Sequence, residues 1–149
     1  MLELSTNRYN KCNNFVNFVN FPKAYLTMLN QAVLATLTSE KIKRYQLNFV
    51  MVSNKEIKKL NAKYRKEGHV TDIISFLVVQ RLFIGDIYIS KKYTQEQAKK
   101  YGNTWLQELA YLIIHGVLHL CGYTDYEPVD KIKMFKKQDK IFQCLFSFF

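Results

Sequence analysis

His115-Gly-Val-Leu-His-Leu-Cys-Gly-Tyr-Thr-Asp125 carries the decisive reading of this 149-residue chain. It sets two imidazoles four positions apart in an apolar run, then a glycine, then a carboxylate ten positions after the first histidine. On a helix, side chains at i and i+4 share a face with Cβ atoms roughly 5–6 Å apart, so His115 and His119 can reach one metal ion. Gly122 enters the left-handed backbone region at no steric cost, the usual way a helix stops. The chain then turns back and offers Asp125 to the same face. The pattern predicts two helical ligands, a stop and a returning ligand: a metal site at the end of a long central helix.

Working outward, Thr94-Gln-Glu-Gln opens that helix, which is expected to run through Trp105 to Cys121 with Gly102 as a weak point inside it. Thr71 to Val78 and Leu82 to Ser90 read as an antiparallel hairpin broken at Gln80-Arg81. Leu47 to Val52 is a strand, and Ser53 and Asn54 offer capping side chains for a helix from Lys55 to about Tyr64. Asn20 to about Thr38 has helical apolar spacing, and the run Phe15 to Val19 allows a strand before it. Val129 to about Phe146 forms a last amphipathic helix, with Ile132, Met134, Phe135, Ile141, Phe142 and Leu145 against a lysine-rich face. This order predicts an α+β fold, a small mixed sheet including an antiparallel hairpin and packed with helices, in a single domain over residues 1–149.

Composition narrows the setting. The chain is 48% hydrophobic and 23% charged, ordinary for a globular protein that builds a core without disulfides. Its three cysteines, Cys12, Cys121 and Cys144, are odd in number and form no C-x-x-C pair, which points to a reducing, cytoplasmic location. The N-terminal stretch lacks a basic region followed by an apolar one, so no secretory signal is expected. The longest apolar run, Leu109 to Tyr123, falls short of the roughly 20 residues of a membrane span. A net charge of +10 favours polyanionic partners, nucleic acid first among them, although lysine-rich coding bias gives the same sign. Cys121, Trp105 and Tyr123 read as core residues, His69 as a surface residue, and the C-terminal lysines as a solvated helix face.

The spacing of the histidine segment matches the long metzincin-type zinc signature. Metalloproteases carry a glutamate directly after the first histidine as general base; this chain has Gly116 there, so the site reads as built for another reaction. Four segments then line up in series: Leu60-Asn-Ala-Lys-Tyr-Arg65, Thr71-Asp-Ile-Ile-Ser-Phe76, Gly85-Asp-Ile-Tyr-Ile-Ser90 and His115-Gly-Val-Leu-His-Leu-Cys-Gly-Tyr123. From roughly Leu47 to its end the chain resembles the YbeY family of bacterial metal-dependent endoribonucleases. The resemblance implies a cytoplasmic, single-strand-directed ribonuclease of small-subunit ribosomal RNA maturation and ribosome quality control, with ribosomal proteins as further candidate partners. It also implies one divalent ion, zinc by preference, held by three side chains, and places Arg65 in the substrate cleft.

Arg65 suits a phosphate, because its planar guanidinium pairs two oxygens at once and stays charged. Lys58, Lys59, Lys63 and Lys66 would extend an electrostatic track for RNA, with Tyr64 as a stacking surface. Ser75 and Asp86 lie on the hairpin without an assigned step. The chain departs from the family at four places: Thr124-Asp125 replaces Asp-His, Val70 and Leu77 stand where prolines are usual, and the hairpin turn is shortened. A carboxylate is an accepted zinc ligand, and its charge predicts a retained ion of weaker Lewis acidity. Two other readings stay open at this point: a homologue that binds ribosomal RNA or ribosomal proteins without cutting, and a metallohydrolase for a non-nucleic substrate.

Overall fold

The structure is a computed structural model that describes residues 14–64 and 73–146; Arg65, Lys66, His69, Val70 and the expected strand start at Thr71 lie outside the described residues. Alternating apolar residues build the sheet. Strand β2 (Gln46–Val52) sends Leu47, Phe49 and Met51 into the main core and Val50 and Val52 to the opposite face. β4 (Ile84–Ser90) repeats this with Ile87 and Ile89 against Tyr88, and β3 (Ile73–Val79) with Ile73 against Ile74 and Phe76. Apolar residues on both faces are the mark of strands in a parallel arrangement. β1 (Phe15–Val19), β2 and β4 do run parallel, in the spatial order β1-β2-β4-β3, and β3 pairs antiparallel with β4. The mixed sheet with its hairpin is therefore present. The hairpin closes through a short 3-10 turn at Gln80–Leu82, with Phe83 at φ 50°.

Helices cover the two faces unequally. Helix α1 (Leu26–Ser39) packs on the Leu47/Phe49/Met51 face, and α2 (Asn54–Tyr64) covers part of the other through Ile57 and Leu60. α1 starts later than its apolar spacing suggests. Asn20 takes a left-handed φ of 68°, Pro22 is extended, and a 3-10 turn at Lys23–Tyr25 precedes Leu26.

The single helix expected from Thr94 to Cys121 is two. Gly102, at φ 71°, ends α3 (Lys91–Tyr101), and Thr104 starts α4 (Trp105–Leu120) with a reciprocal capping box. The Thr104 hydroxyl accepts from the Gln107 N–H at 3.1 Å, and the Gln107 side chain accepts from the Thr104 N–H at 3.0 Å. Trp105 Nε1 donates to Thr94 Oγ1 at 3.0 Å, tying the two helices together across the break. α5 (Pro128–Phe146) brings a second correction: Ile132 is 69% exposed instead of packed. Met134, Gln138 and Ile141 form its buried stripe, and a residue two positions from Met134 lies about 200° round the helix. α4 and α5 join α1 in the main core. Among the described residues no helix is long and apolar enough to cross a membrane.

Candidate metal centre

α4 lies tightly against the sheet at Gly116. A Cβ added at Gly116 would sit 2.8 Å from Ile73 Cδ1 and 3.5 Å from Ile87 Cγ2, so even an alanine would have to displace the tip of Ile73. The position after His115 thus faces isoleucines. An acid there would be buried among apolar side chains instead of reaching a substrate.

At its other end α4 stops in a Schellman motif. The Gly122 N–H donates to the His119 carbonyl at 3.0 Å and the Tyr123 N–H to the Leu118 carbonyl at 3.1 Å, with Gly122 at φ 101°. This reversal aims the Tyr123 carbonyl back at the helix, where it accepts from His119 Nδ1 at 2.9 Å. It also returns Asp125 to the histidine face. Tyr123 anchors the loop from outside. A hydrogen bond to Glu40 at the end of α1, followed by burial, pushes its phenol up to about 12.

His115 Nε2 and His119 Nε2 are 2.9 Å apart, and Asp125 Oδ2 lies 3.6 Å from the first and 3.8 Å from the second. The side chains are 13%, 18% and 31% exposed, so the cluster is shielded yet open on one side. The point equidistant from three donors at those separations is about 2.0 Å from each, the range of zinc–nitrogen and zinc–oxygen bonds.

The hydrogen bonds around the rings explain why such a point needs a positive charge. Gln138, 1% exposed, donates its amide N–H to the Tyr111 carbonyl at 3.2 Å, so its oxygen faces His115 Nδ1 at 2.9 Å as an acceptor. The Tyr123 carbonyl can only accept. Both Nδ1 atoms therefore carry their protons, and in the neutral rings both Nε2 atoms present lone pairs to each other. Two lone pairs at 2.9 Å repel unless a proton or cation lies between them. A proton serves one pair, whereas a metal ion satisfies both nitrogens and the carboxylate. The three residues fit a divalent ion, and they are the one such group of His, Cys, Asp and Glu among the described residues.

Gln138 and the Tyr123 carbonyl escaped the sequence reading. Gln138 did leave a signal, as a polar residue on an otherwise apolar stripe between Met134 and Ile141. Cys121 stays outside the donor group, and burial, with a smaller contribution from Glu40, pushes its thiol up to about 12. Lys58, Lys59 and Lys63 are exposed on α2, which packs on the sheet face opposite α4, so the structure does not bring them to the histidines. Asp86 also belongs to that opposite face, where it accepts from Asn48 at 3.2 Å. Ser75 lies on the α4 side of β3 by strand alternation. Arg65 and Lys66 fall outside the described residues.

Comparison with known proteins gives this geometry a family. A family model described as Endoribonuclease YbeY matches residues 11–145. A relative named Endoribonuclease YbeY from Endomicrobium trichonymphae is 68% identical over 136 residues, covering 91% of this chain and 96% of its own. One of the same name from Carboxydothermus hydrogenoformans is 37% identical over 123 residues, covering 80% and 85%. The solution structure of TM1509 from Thermotoga maritima superposes with a TM-score of 0.66 at 30% identity, covering 89% of this chain and 90% of that one. The chain belongs to the endoribonuclease YbeY family.

Proposed function

We propose that this chain is a metal-dependent endoribonuclease that cuts single-stranded RNA, acting in the cytoplasm on small-subunit ribosomal RNA during maturation and ribosome quality control. We read residues 1–149 as one domain for this task, open to contact with ribosomal proteins. The observation that carries the reading is the facing pair of histidine lone pairs closed by Asp125. His115, His119 and Asp125 would hold the ion, and two nitrogens with one carboxylate oxygen are a donor set that zinc accepts. Such an ion supplies Lewis-acid polarisation of a phosphoryl oxygen and acidifies water at neutral pH.

The remaining work falls to the chain. Gln138 and the Tyr123 carbonyl fix both rings, so no reorientation is needed when substrate arrives. Position 116 faces the core and supplies no base, so the proton of an attacking water or RNA 2′-OH would have to be taken up by another group at the site. Arg65 is assigned to the phosphate, with Lys58, Lys59, Lys63 and Lys66 as a more distant electrostatic field. The test is incubation with single-stranded RNA, with zinc and with chelator. Cleavage that chelation removes and zinc restores is expected; binding without cleavage under both conditions would refute the enzyme reading. Arg65→Ala is expected to lose turnover while keeping bound zinc.

A further inference from the structure

The two edges of the sheet are guarded differently. β3 carries a register shift between Leu77 and Val79, the kind of irregularity that keeps an edge from recruiting a further strand. β1 has none: its five residues pair one to one with residues 46–50, and Phe15-Val-Asn-Phe-Val19 contains neither a charge nor a proline. Between Lys11 and Glu40 the sequence holds one charged residue, Lys23, although the chain carries a net charge of +10. Phe15 and Val19 are 39% and 38% exposed. Beside β1 lies an open groove of about 590 Å³ whose other wall is α1, through Leu26, Thr27, Asn30 and Gln31. Among the described residues no strand pairs with the outer side of β1.

Backbone direction decides what this edge can take. The Phe15 N–H donates to the Tyr45 carbonyl at 3.3 Å, so Phe15, Asn17 and Val19 turn their backbone groups toward β2, and Val16 and Phe18 turn theirs outward. We propose that β1 pairs antiparallel with β1 of a second copy of this chain, centred on Asn17, joining two four-stranded sheets about a two-fold axis. In that register Val16 of one copy and Phe18 of the other exchange both backbone hydrogen bonds. Asn17 and its counterpart then form a non-hydrogen-bonded pair, the spacing at which side chains come closest. The segment is self-complementary: Phe15 meets Val19 on one face and Val16 meets Phe18 on the other, aromatic against β-branched each time. Asn17 suits the axis. Its Nδ2 donates to Asn48 Oδ1 at 3.2 Å, and Asn48 donates to Asp86 at 3.2 Å, which leaves the Asn17 Oδ1 and second N–H for the same groups of the other copy. Charge favours self-pairing here, since the lysines of α2 and α5 lie on other surfaces and neither β1 nor α1 carries a charge. The pairing goes beyond the function proposed above and does not depend on it, because α4 packs at Gly116 on Ile73 and Ile87 of β3 and β4.

The test is sedimentation velocity of the full chain over a range of concentrations, at low and high salt, with amide exchange followed by NMR. The mass should rise from 17.7 kDa toward twice that value, more readily in high salt, which screens the repulsion between two positive chains. The Val16 and Phe18 amides should gain protection as the mass rises, while those of Asn17 and Val19 stay protected throughout. Asn17→Lys and Asn17→Asp should each remain at the single-chain mass, because like charges then face each other across the axis. An equimolar mixture of the two should recover the doubled mass, a rescue that a misfolded variant does not give. Single-chain mass at every concentration with Val16 and Phe18 exchanging freely, or a mixture that stays at that mass, would overturn the pairing. So would protection of those two amides at the single-chain mass, since the chain's own N-terminal residues would then cover the edge. A dimer that both variants retain would overturn it too, by placing the contact on another surface.

Discussion

Helices α4 and α5 meet at the candidate metal centre with opposite burial. From Leu109 onward α4 is buried on every side except one stripe, on which Tyr111, His115 and His119 follow one another at steps of four. α5 is largely exposed and buries Met134, Gln138 and Ile141. The polar stripe of the first meets the buried stripe of the second: Tyr111 donates to Asp139 at 2.7 Å, and Gln138 bridges the Tyr111 carbonyl and His115. The two candidate histidine ligands thus come from the well-buried helix, and part of their orientation comes from the exposed one. A metal site argued from its ligand helix alone omits a support that lies 23 residues away in sequence.

That contrast can be broken in order of effect. His119→Ala should abolish stoichiometric zinc binding, read by metal analysis after dialysis, and with it chelator-sensitive RNA cleavage. Gly116→Leu attacks the bed of α4; its side chain would have to push aside Ile73, whose tip lies 2.8 Å from the Cβ position, and thermal denaturation should show a loss of about 1–3 kcal/mol. Gln138→Leu attacks the contribution of α5. It should lower zinc affinity about 10- to 100-fold by calorimetry. Gln138→Glu, which still offers His115 an acceptor oxygen, should recover part of that loss.

The smallest effect belongs to the rim. Tyr111→Phe removes a partly exposed hydrogen bond and should cost about 0.5 kcal/mol of stability, near the low end for such bonds. Its pH dependence has a definite sign. Burial first, and Asp139 second, hold the folded Tyr111 phenol well above its ordinary range. The unfolded chain releases that proton near pH 10 while the folded chain keeps it. Stability from this group is therefore complete below about pH 10 and declines as the pH rises further. Melting curves should show a shallower alkaline decline in Tyr111→Phe than in the parent protein.

Local pattern made much of the fold legible. β2 and β4 read as strands because their β-branched and aromatic runs are short, and α4 announced its end through Gly122. The split at Gly102 was underestimated, because the capping strength of Thr104 and Gln107 depends on two reciprocal bonds that periodicity does not report. Ile132 breaks the apolar pattern of α5 because hydrophobicity alone does not report its angle to Met134. At the site, His115, His119 and Asp125 could be read from spacing, since the donors sit within one helix turn and its reversal. Gln138 could not, because it reaches His115 through the packing of two helices. The lysines of α2 were placed by charge, and charge carries no information about which sheet face a helix covers.

Anomalous scattering at the zinc edge, from crystals of the zinc-loaded protein, tests the central claim most directly. The account predicts one ion per chain bound by His115 Nε2, His119 Nε2 and an Asp125 oxygen, at about 2.0–2.2 Å from each. No peak between these side chains, or a peak held elsewhere with the two rings turned apart, would contradict it.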